Sequence, residues 1–203
     1  PDPQTAAGCR DLAMLALLYD TGARVQELAD LKFEDVRLSS PTVIRLTGKG
    51  GKARFVPIMA PTEKLLRAYL EECDRRFSMH GGAPLFRNRD GKKLTRAGIA
   101  YILNKYVKSA QQMGSIPAQM AVSPHVLRHS KAMHLLQSGV NLIYIRDLLG
   151  HADVSTTEIY ARADEHFKRQ ALTMAYPSPT PEPETPAWQK DSDLLNWLKG
   201  LGK

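Results

Sequence analysis

The sequence predicts an α+β fold that is mainly helical and carries one small antiparallel β-sheet or hairpin. Apolar residues recur at helical spacing over residues 5–19, 61–78 and 95–112, as in helices that bury one face. Only residues 42–58 alternate and are rich in strand-forming side chains. The 203 residues suffice for one good core and leave room for a tail.

The first predicted helix covers residues 5–19 and ends at Thr21-Gly22; a short helix then begins with Arg24 at its head. Glu27 follows Arg24 by three residues. A glutamate at this spacing can hold the guanidinium by a charge-assisted hydrogen bond and so fix its position. This segment leaves open the alternative of an ordinary exposed Arg–Glu helix pair, worth roughly a few tenths of a kcal/mol.

Residues 42–58 predict two strands around a Gly-Lys-Gly-Gly-Lys tip, which is a clear hairpin signal. Lys49 and Lys52 therefore lie on a glycine-rich turn. The Walker spacing is absent and no helix follows directly, which excludes a nucleotide phosphate loop. Two interpretations remain: a solvated basic turn, or a lysine carried into a DNA groove.

A third helix is predicted over residues 61–78, opened by Pro61, and another from the cap residue Thr95 to about Gln112. Between them the segment PLFRNRDGKKLT combines a short apolar piece, an Asp-Gly turn and several basic residues. Such a loop suits contact with DNA phosphates. The predicted DNA-contacting side chains of the chain are Lys52, Arg54, Arg87, Lys92, Lys93 and Arg96.

The most informative stretch runs over residues 123–160 and reads SPHVLRHSKAMHLLQSGVNLIYIRDLLGHADVSTTEIY. Ser123-Pro124 is typical of a helix N-cap followed by proline in the first turn. His125 and Arg128 then fall in that turn and, three residues apart, share a face of the helix.

Gly150 is predicted to end the next helix, so that His151 lies where the chain turns. Ser155 and Glu158 have capping-box spacing, which predicts a further helix with Tyr160 inside it. We expect the whole chain to divide into three parts: a main domain over residues 1–176, a proline-rich linker over 177–187, and an amphipathic tail helix over 188–203 that docks on its own domain or on a neighbour.

The net charge, the cysteines and the length of the apolar runs indicate which class of protein this is. The formal net charge of +7 and the pI near 9.5 favour a polyanionic partner, with simple solubility as the alternative. Cys9 and Cys73 have no metal-ligand spacing, which favours a reducing, cytosolic compartment over a disulfide scaffold. The longest apolar run, from Leu12 to Tyr19, is far shorter than the roughly 20 residues of a membrane span.

Two arginines, two histidines, a lysine and a tyrosine without a carboxylate cluster describe an anion site. Arg24 and Arg128 suit a phosphate clamp, because the planar guanidinium matches phosphate oxygens and stays charged. A tyrosine can serve as a covalent nucleophile, and a lysine can protonate a departing oxygen. His125 and His129 have a spacing compatible with zinc, but no third ligand is placed to complete a site, and His129 is expected to be a structural histidine.

Five pieces of the sequence together resemble the tyrosine recombinase (phage integrase) family. They are ARVQEL after Thr21-Gly22, the GKGGK hairpin, HVLRH, LLGH, and the tyrosine nine residues later. Their order and spacing match throughout, and the likeness covers roughly residues 7–175. The last part of the match is most similar to integrases and transposases of bacterial mobile elements.

The resemblance implies a tyrosine recombinase catalytic domain, which is a DNA breaking-rejoining fold, and a type IB mechanism. Tyr160 would attack a scissile phosphate and form a 3′-phosphotyrosine, while Arg24 and Arg128 bind the non-bridging oxygens. His125 would assist proton transfer from Tyr160, and Lys49 would protonate the leaving 5′ oxygen.

The resemblance also assigns a role to His151, which would pack on the phosphate and form a hydrogen bond with it. Lys52 is the second choice for the lysine, because glycine-rich hairpins blur the register. The implied partners are double-stranded DNA and further copies of the chain, four in a synapse, joined through the tail. Neither metal nor cofactor is implied, and the setting is the DNA-associated cytoplasm of a bacterium.

Family members carry an N-terminal helical DNA-clamping domain, and we expect that domain to be absent from this chain. Two other functions stay open on the sequence. A monomeric type IB topoisomerase would use the same residues without assembling four protomers. A non-catalytic DNA-binding module would keep the basic face but would not require Tyr160 or Lys49.

Overall fold

Helices and strands form largely where the apolar spacing and the capping residues predict them. The structure, a computed structural model, describes residues 1–76 and 81–150. In chain order the helices and strands are α1 (Ala6–Thr21), α2 (Val25–Asp30), β1 (Val36–Arg37), β2 (Val43–Thr47), β3 (Ala53–Pro57), α3 (Ala60–Arg76), α4 (Arg96–Gln112), α5 (Pro124–Gln137) and α6 (Leu142–Leu149). The predicted fold class, mainly helical with a small antiparallel sheet, is confirmed.

The predicted hairpin is the larger part of a three-stranded antiparallel sheet in the order β1-β2-β3. Strands β2 and β3 pair from Val43 opposite Pro57 to Thr47 opposite Ala53. Their alternation buries Ile44, Leu46 and Val56 against the core. The strand β1 was not predicted, because its two residues are too few to show alternation.

The hairpin tip is a tight turn over Lys49–Gly51, in which the Gly51 N–H donates to the Gly48 carbonyl at 3.2 Å. Gly50 and Gly51 have φ values of 77° and 74°, a left-handed conformation that favours residues without a Cβ atom. This explains why the tip is rich in glycine.

Helix α1 lies at the centre of the hydrophobic core. Its inward residues pack mainly against α3, and α1 also contacts α5 and α2. The fully buried side chains of the core include Ala13, Met14, Leu17, Leu18, Leu28, Ile44, Leu46, Leu66, Leu85 and Ile99. Aromatic stacking of Tyr69 on Phe86, with ring centroids 5.4 Å apart, ties α3 to that apolar piece.

Up to Gly150, the predicted helix signals of the central stretch are confirmed. The Ser123 side chain accepts from the backbone N–H of Val126 and caps α5, with Pro124 in the first turn. Asn141 caps α6 in the same manner, and Gly150 ends it in the left-handed conformation, at φ 64° and ψ 45°. The Asp-Gly turn of the basic loop is also present, because Gly91 donates to the Asn88 carbonyl at 3.1 Å.

The helix predicted to hold Tyr160, the proline-rich linker and the tail helix all lie outside the described residues. Among the helices of residues 1–76 and 81–150, none is long and apolar enough to cross a membrane.

Candidate active site

Arg24 stands at the N-cap of α2, directly after the end of α1, with φ −70° and ψ 148°. Its backbone N–H donates to Oε2 of Glu27 at 2.8 Å, and its Nη1 donates to Oε1 of the same carboxylate at 3.0 Å. Glu27 therefore satisfies an open N–H at the start of α2 and also holds the Arg24 guanidinium. Only 3% of the Glu27 side chain is exposed, so the alternative of an ordinary exposed helix pair is wrong.

A second arginine, Arg54 of β3, binds the same carboxylate. Its Nη1 and Nη2 donate to Oε1 and Oε2 of Glu27, both at 2.8 Å. Burial acts to raise the pKa of the Glu27 carboxyl, but the hydrogen bonds of Arg54 and Arg24 outweigh burial and hold the pKa below its usual value. Glu27 is therefore an ionised anchor shared by two guanidinium groups.

Arg128, one turn into α5, points between the ends of two other helices. Its Nη1 donates to the Gly22 carbonyl at the end of α1, and its Nη2 donates to the Leu149 carbonyl at the end of α6, each at 2.6 Å. Arg128 is 6% exposed. A buried guanidinium requires hydrogen-bond acceptors, and here they are carbonyl oxygens that helix ends leave open.

The C-terminal end of α6 receives one hydrogen bond from each of three arginines. Arg54 Nε donates to the Leu148 carbonyl at 2.8 Å, Arg128 Nη2 to the Leu149 carbonyl at 2.6 Å, and Arg24 Nη2 to the Gly150 carbonyl at 3.2 Å. The carbonyl end of a helix carries partial negative charge and favours cations. We call these three side chains the arginine cluster.

Gly150 is required at this junction on two grounds. Its positive φ favours glycine. A Cβ atom at this position would lie 2.8 Å from Arg54 Nη1, which is closer than side chains allow. The LLGH motif therefore lets the arginine cluster approach the backbone directly before His151.

The base of the hairpin lies beside Glu27. A Cβ atom on Gly48 would lie 3.3 Å from Glu27 Oε1, and the Gly48 N–H donates to the Lys52 carbonyl at 2.9 Å. The backbone of the lysine-bearing turn thus starts next to the carboxylate that holds Arg24 and Arg54. The side chain of Lys49 lies outside the part of the chain that the structure describes.

The structure thus brings two predicted site residues, Arg24 and Arg128, to one helix end. His125 is exposed in the first turn of α5. His151 and Tyr160 lie outside the described residues, so their roles stay predictions. His129 is exposed rather than buried, and within residues 1–76 and 81–150 no three His, Cys, Asp or Glu side chains are grouped to hold a metal ion.

The predicted DNA-contacting side chains fall into different environments. Four of them are exposed on the surface: Lys52, Lys92, Lys93 and Arg96. Of these, Lys93 forms an exposed ion pair with Asp30. Arg87 is half-buried, with its guanidinium 5.7 Å from the centroid of the Phe33 ring and its Nε donating to the Pro84 carbonyl.

Arg54 differs most from its prediction. The structure gives it a place inside the candidate site, bound to Glu27 and to the end of α6, instead of an open position on the DNA-facing surface. A sequence signal for this exists. Arg54 precedes the buried Val56 by two residues on the same strand, and alternation therefore puts both on the inner face of the sheet.

Three comparisons with known proteins agree on the family. The sequence model of the phage integrase family matches residues 2–166. Tyrosine recombinase XerC of Pelobacter propionicus is 37% identical over 185 residues, which cover 91% of this chain and 58% of the relative. Tyrosine recombinase XerD of Listeria innocua is 41% identical over 161 residues, covering 78% of this chain and 52% of the relative. The chain spans between half and three fifths of the length of these relatives.

Solved structures give the same result. The crystal structure of XerA recombinase has a TM-score of 0.69 and 30% identity, covering 85% of this chain and 59% of that chain. XerH site-specific recombinase, bound to palindromic difH substrate in a post-cleavage complex, has a TM-score of 0.70 and 28% identity, covering 85% and 48%. With five family motifs in order, a family match over residues 2–166 and this shared fold, the chain belongs to the phage integrase family of tyrosine recombinases.

Proposed function

We propose that this chain is a site-specific DNA recombinase or integrase that cuts and rejoins strands through a covalent 3′-phosphotyrosine at Tyr160. The proposal rests on one observation. Arg24 and Arg128 donate hydrogen bonds to the last two carbonyl groups before His151, those of Gly150 and Leu149. The names of the relatives XerC and XerD, and the XerH complex with its difH substrate, support DNA as the molecule acted upon.

The proposed cleavage exchanges one phosphodiester for another. Tyr160 Oη bonds to the scissile phosphorus, the bond from phosphorus to the 5′ oxygen breaks, and the 3′ phosphate stays on the tyrosine. His125 takes part in removing the proton of Tyr160, and Lys49 gives a proton to the departing 5′ oxygen. Attack by a 5′-hydroxyl on the phosphotyrosine reverses these steps and rejoins the strand, so no ATP is required.

Arg24 and Arg128 would bind the non-bridging oxygens while charge builds on them. The contacts of Arg24 support this role. A guanidinium carries five N–H donors, and Arg24 uses one toward Glu27 and one toward the Gly150 carbonyl, while 40% of its side chain is exposed. His151 would pack on the phosphate from the residue that follows this carbonyl, and Lys52 remains the second choice for the proton-donating lysine.

DNA binding would rest mainly on phosphate contacts. The net charge of +7 favours a polyanion, and the exposed side chains of Lys92, Lys93 and Arg96, with Arg87 near them, form a basic edge after the apolar piece that follows α3. Such contacts fix orientation without reading sequence.

Further parts of the proposal concern organisation. We place the catalytic domain at residues 1–176, the linker at 177–187 and a docking helix at 188–203, through which protomers would join in a tetrameric synapse on DNA. The setting would be the cytoplasm of a bacterium. Ending the chain after residue 176 should leave cleavage of single sites but reduce the number of protomers that assemble on paired sites.

The decisive experiment uses a pool of nicked suicide duplexes with randomised sequence around the nick, incubated with the chain or with Tyr160→Phe in the presence of EDTA. We expect a covalent protein–DNA product from the unaltered chain only, mapped to Tyr160 by peptide mass spectrometry. DNA retained by both proteins with a covalent product from neither would overturn the enzyme and favour the DNA-binding module. Relaxation of supercoiled plasmid without transfer to a second duplex would favour the topoisomerase alternative.

A further inference from the structure

We propose that Arg54 is a positioning residue of the candidate site: it holds β3 of the hairpin, the Glu27 carboxylate and the C-terminal end of α6 in one arrangement, and does not itself bind DNA. The inference rests on the proposed function, because its consequence is a change in the rate of strand cleavage.

The first support is that each nitrogen of the Arg54 guanidinium binds an acceptor of the protein. All three of its nitrogens have an acceptor at 2.8 Å: Nε binds the Leu148 carbonyl, and Nη1 and Nη2 bind the two oxygens of Glu27. Only 14% of the Arg54 side chain is exposed. A side chain held in this way serves protein contacts instead of a phosphate on the surface.

The second support is the set of parts that Arg54 joins. The strand β3 that carries it continues directly from the lysine-bearing tip of the hairpin. Glu27 is the anchor of Arg24, and Leu148 lies one residue before the carbonyl that binds Arg128. One side chain therefore links the hairpin to both arginines that are predicted to hold the phosphate.

The third support is geometric. The acceptors of Arg54 are two carboxylate oxygens and one carbonyl oxygen, which the flat fork of a guanidinium can bind together. A lysine at this position would keep the charge but has a single nitrogen. A phosphate contact, in contrast, tolerates lysine as a point charge. The conservative exchange Arg54→Lys therefore separates the two roles.

Loss of Arg54 should also alter the pH dependence of cleavage. Among the described residues, the charged groups that contact Glu27 are Arg54 from β3 and Arg24 from the start of α2, and the backbone of Gly48 lies beside the carboxylate. Without the hydrogen bonds and charge of Arg54, burial is opposed less and the pKa of Glu27 should rise. The anchor of Arg24 would then be protonated at a higher pH, and the acid limb of the rate profile should move upward.

The experiment compares Arg54→Lys and Arg54→Met with the unaltered chain and two controls. Arg45→Lys alters another arginine of the sheet, paired with Asp35, and Arg96→Met removes an exposed predicted phosphate contact. The measurements are the single-turnover rate of covalent product formation, the pH profile of that rate, the thermal melting point, and DNA affinity over a salt series.

We expect both Arg54 variants to form the covalent product about 100-fold more slowly, since small displacements of a reacting group have effects of this size. Their salt dependence of DNA affinity should be unchanged, whereas Arg96→Met should lower the logarithmic slope by about 0.9. The acid limb of Arg54→Met should lie at higher pH. Arg45→Lys should match the unaltered chain.

Arg54→Lys with an unchanged cleavage rate, together with a smaller salt slope in Arg54→Met, would overturn the inference and restore the phosphate contact. Both variants being unfolded at the assay temperature would also overturn it, because Arg54 would then be needed for the fold as a whole. If the unaltered chain forms no covalent product while binding DNA, the proposed function fails, which is a distinct result.

Discussion

Two buried carboxylates, Glu27 and Asp11, are satisfied by the same means in different parts of the molecule. Asp11 of α1 is 2% exposed; its Oδ1 accepts from Arg10 Nε and Nη2 at 2.9 and 2.7 Å, and its Oδ2 accepts from the Tyr106 hydroxyl at 2.9 Å. Glu27 is likewise covered by guanidinium groups.

The two carboxylates differ in the other contacts that their hydrogen-bond partners make. Arg10 is adjacent to Asp11 in the chain and also donates to the Arg87 carbonyl at 3.0 Å, and Tyr106 joins α1 to α4. This cluster therefore connects elements of the core without reaching a predicted catalytic residue. The arginines around Glu27 go on to the carbonyl oxygens of Leu148 and Gly150. A buried ion pair therefore connects elements of the core in the first region and holds the arginine cluster at the end of α6 in the second.

The largest expected effect comes from Glu27→Leu, which leaves two guanidinium groups beside an apolar side chain. Removing one partner of a buried ion pair typically costs about 3–5 kcal/mol in the free energy of unfolding. Arg24 and Arg54 both lose their anchor, so cleavage should fall at least as far as in the Arg54 variants. Urea unfolding and the single-turnover covalent assay measure the two effects.

The matched control is Asp30→Ala, which removes an exposed carboxylate of the same helix from its pair with Lys93. Exposed ion pairs contribute little to stability, and this variant should therefore behave as the unaltered chain does. If Glu27→Leu were equally harmless, the arginine cluster would be a surface arrangement without a role in the site.

A smaller effect is expected from Asp11→Asn. The amide oxygen can still accept from Tyr106, but the ion pair with Arg10 is lost, which should lower the free energy of unfolding by about 1–3 kcal/mol. The cleavage rate below the melting point should be unchanged, because no predicted site residue binds Asp11. A loss of cleavage without a loss of stability would contradict the division between the two regions.

The sequence predicts contacts between residues that are close in the chain better than contacts between residues that are far apart in it. Local signals were sufficient for the helix ends, since Ser123, Asn141 and Gly150 act on backbone groups within a few residues. The spacing of three residues also suggested the Arg24–Glu27 pair, but it left open whether that pair is exposed or buried. The family motifs then added the site residues that no local pattern assigns.

Contacts between distant residues were not predicted. Arg54 reaches Glu27 across 27 residues and Leu148 across 94, and nothing in its local sequence states which carboxylate or carbonyl it will meet. The charge of Arg54 and its place in a basic hairpin favoured the prediction that it contacts DNA. Only the alternation with Val56 indicated an inner position, and the tertiary fold decides what occupies that inner face.

The smallest expected effect comes from Tyr106→Phe, and it depends on pH. Burial, together with the hydrogen bond to Asp11 and the charge of that carboxylate, raises the pKa of Tyr106 to about 12. Because the folded pKa exceeds the ordinary value of about 10, the hydroxyl contributes stability below about pH 10, and this contribution is lost as the pH rises through the folded value.

Tyr106→Phe should therefore lower the free energy of unfolding by about 1 kcal/mol near neutral pH, and the difference from the unaltered chain should shrink at strongly alkaline pH. Urea unfolding over a pH series measures it, with the exposed Tyr101→Phe of the same helix as the control. A difference that grows above about pH 10 would mean that the hydroxyl does not donate to Asp11. The cleavage rate should stay constant throughout, since in the part of the chain that the structure describes Tyr106 and Asp11 make no hydrogen bond to the arginine cluster.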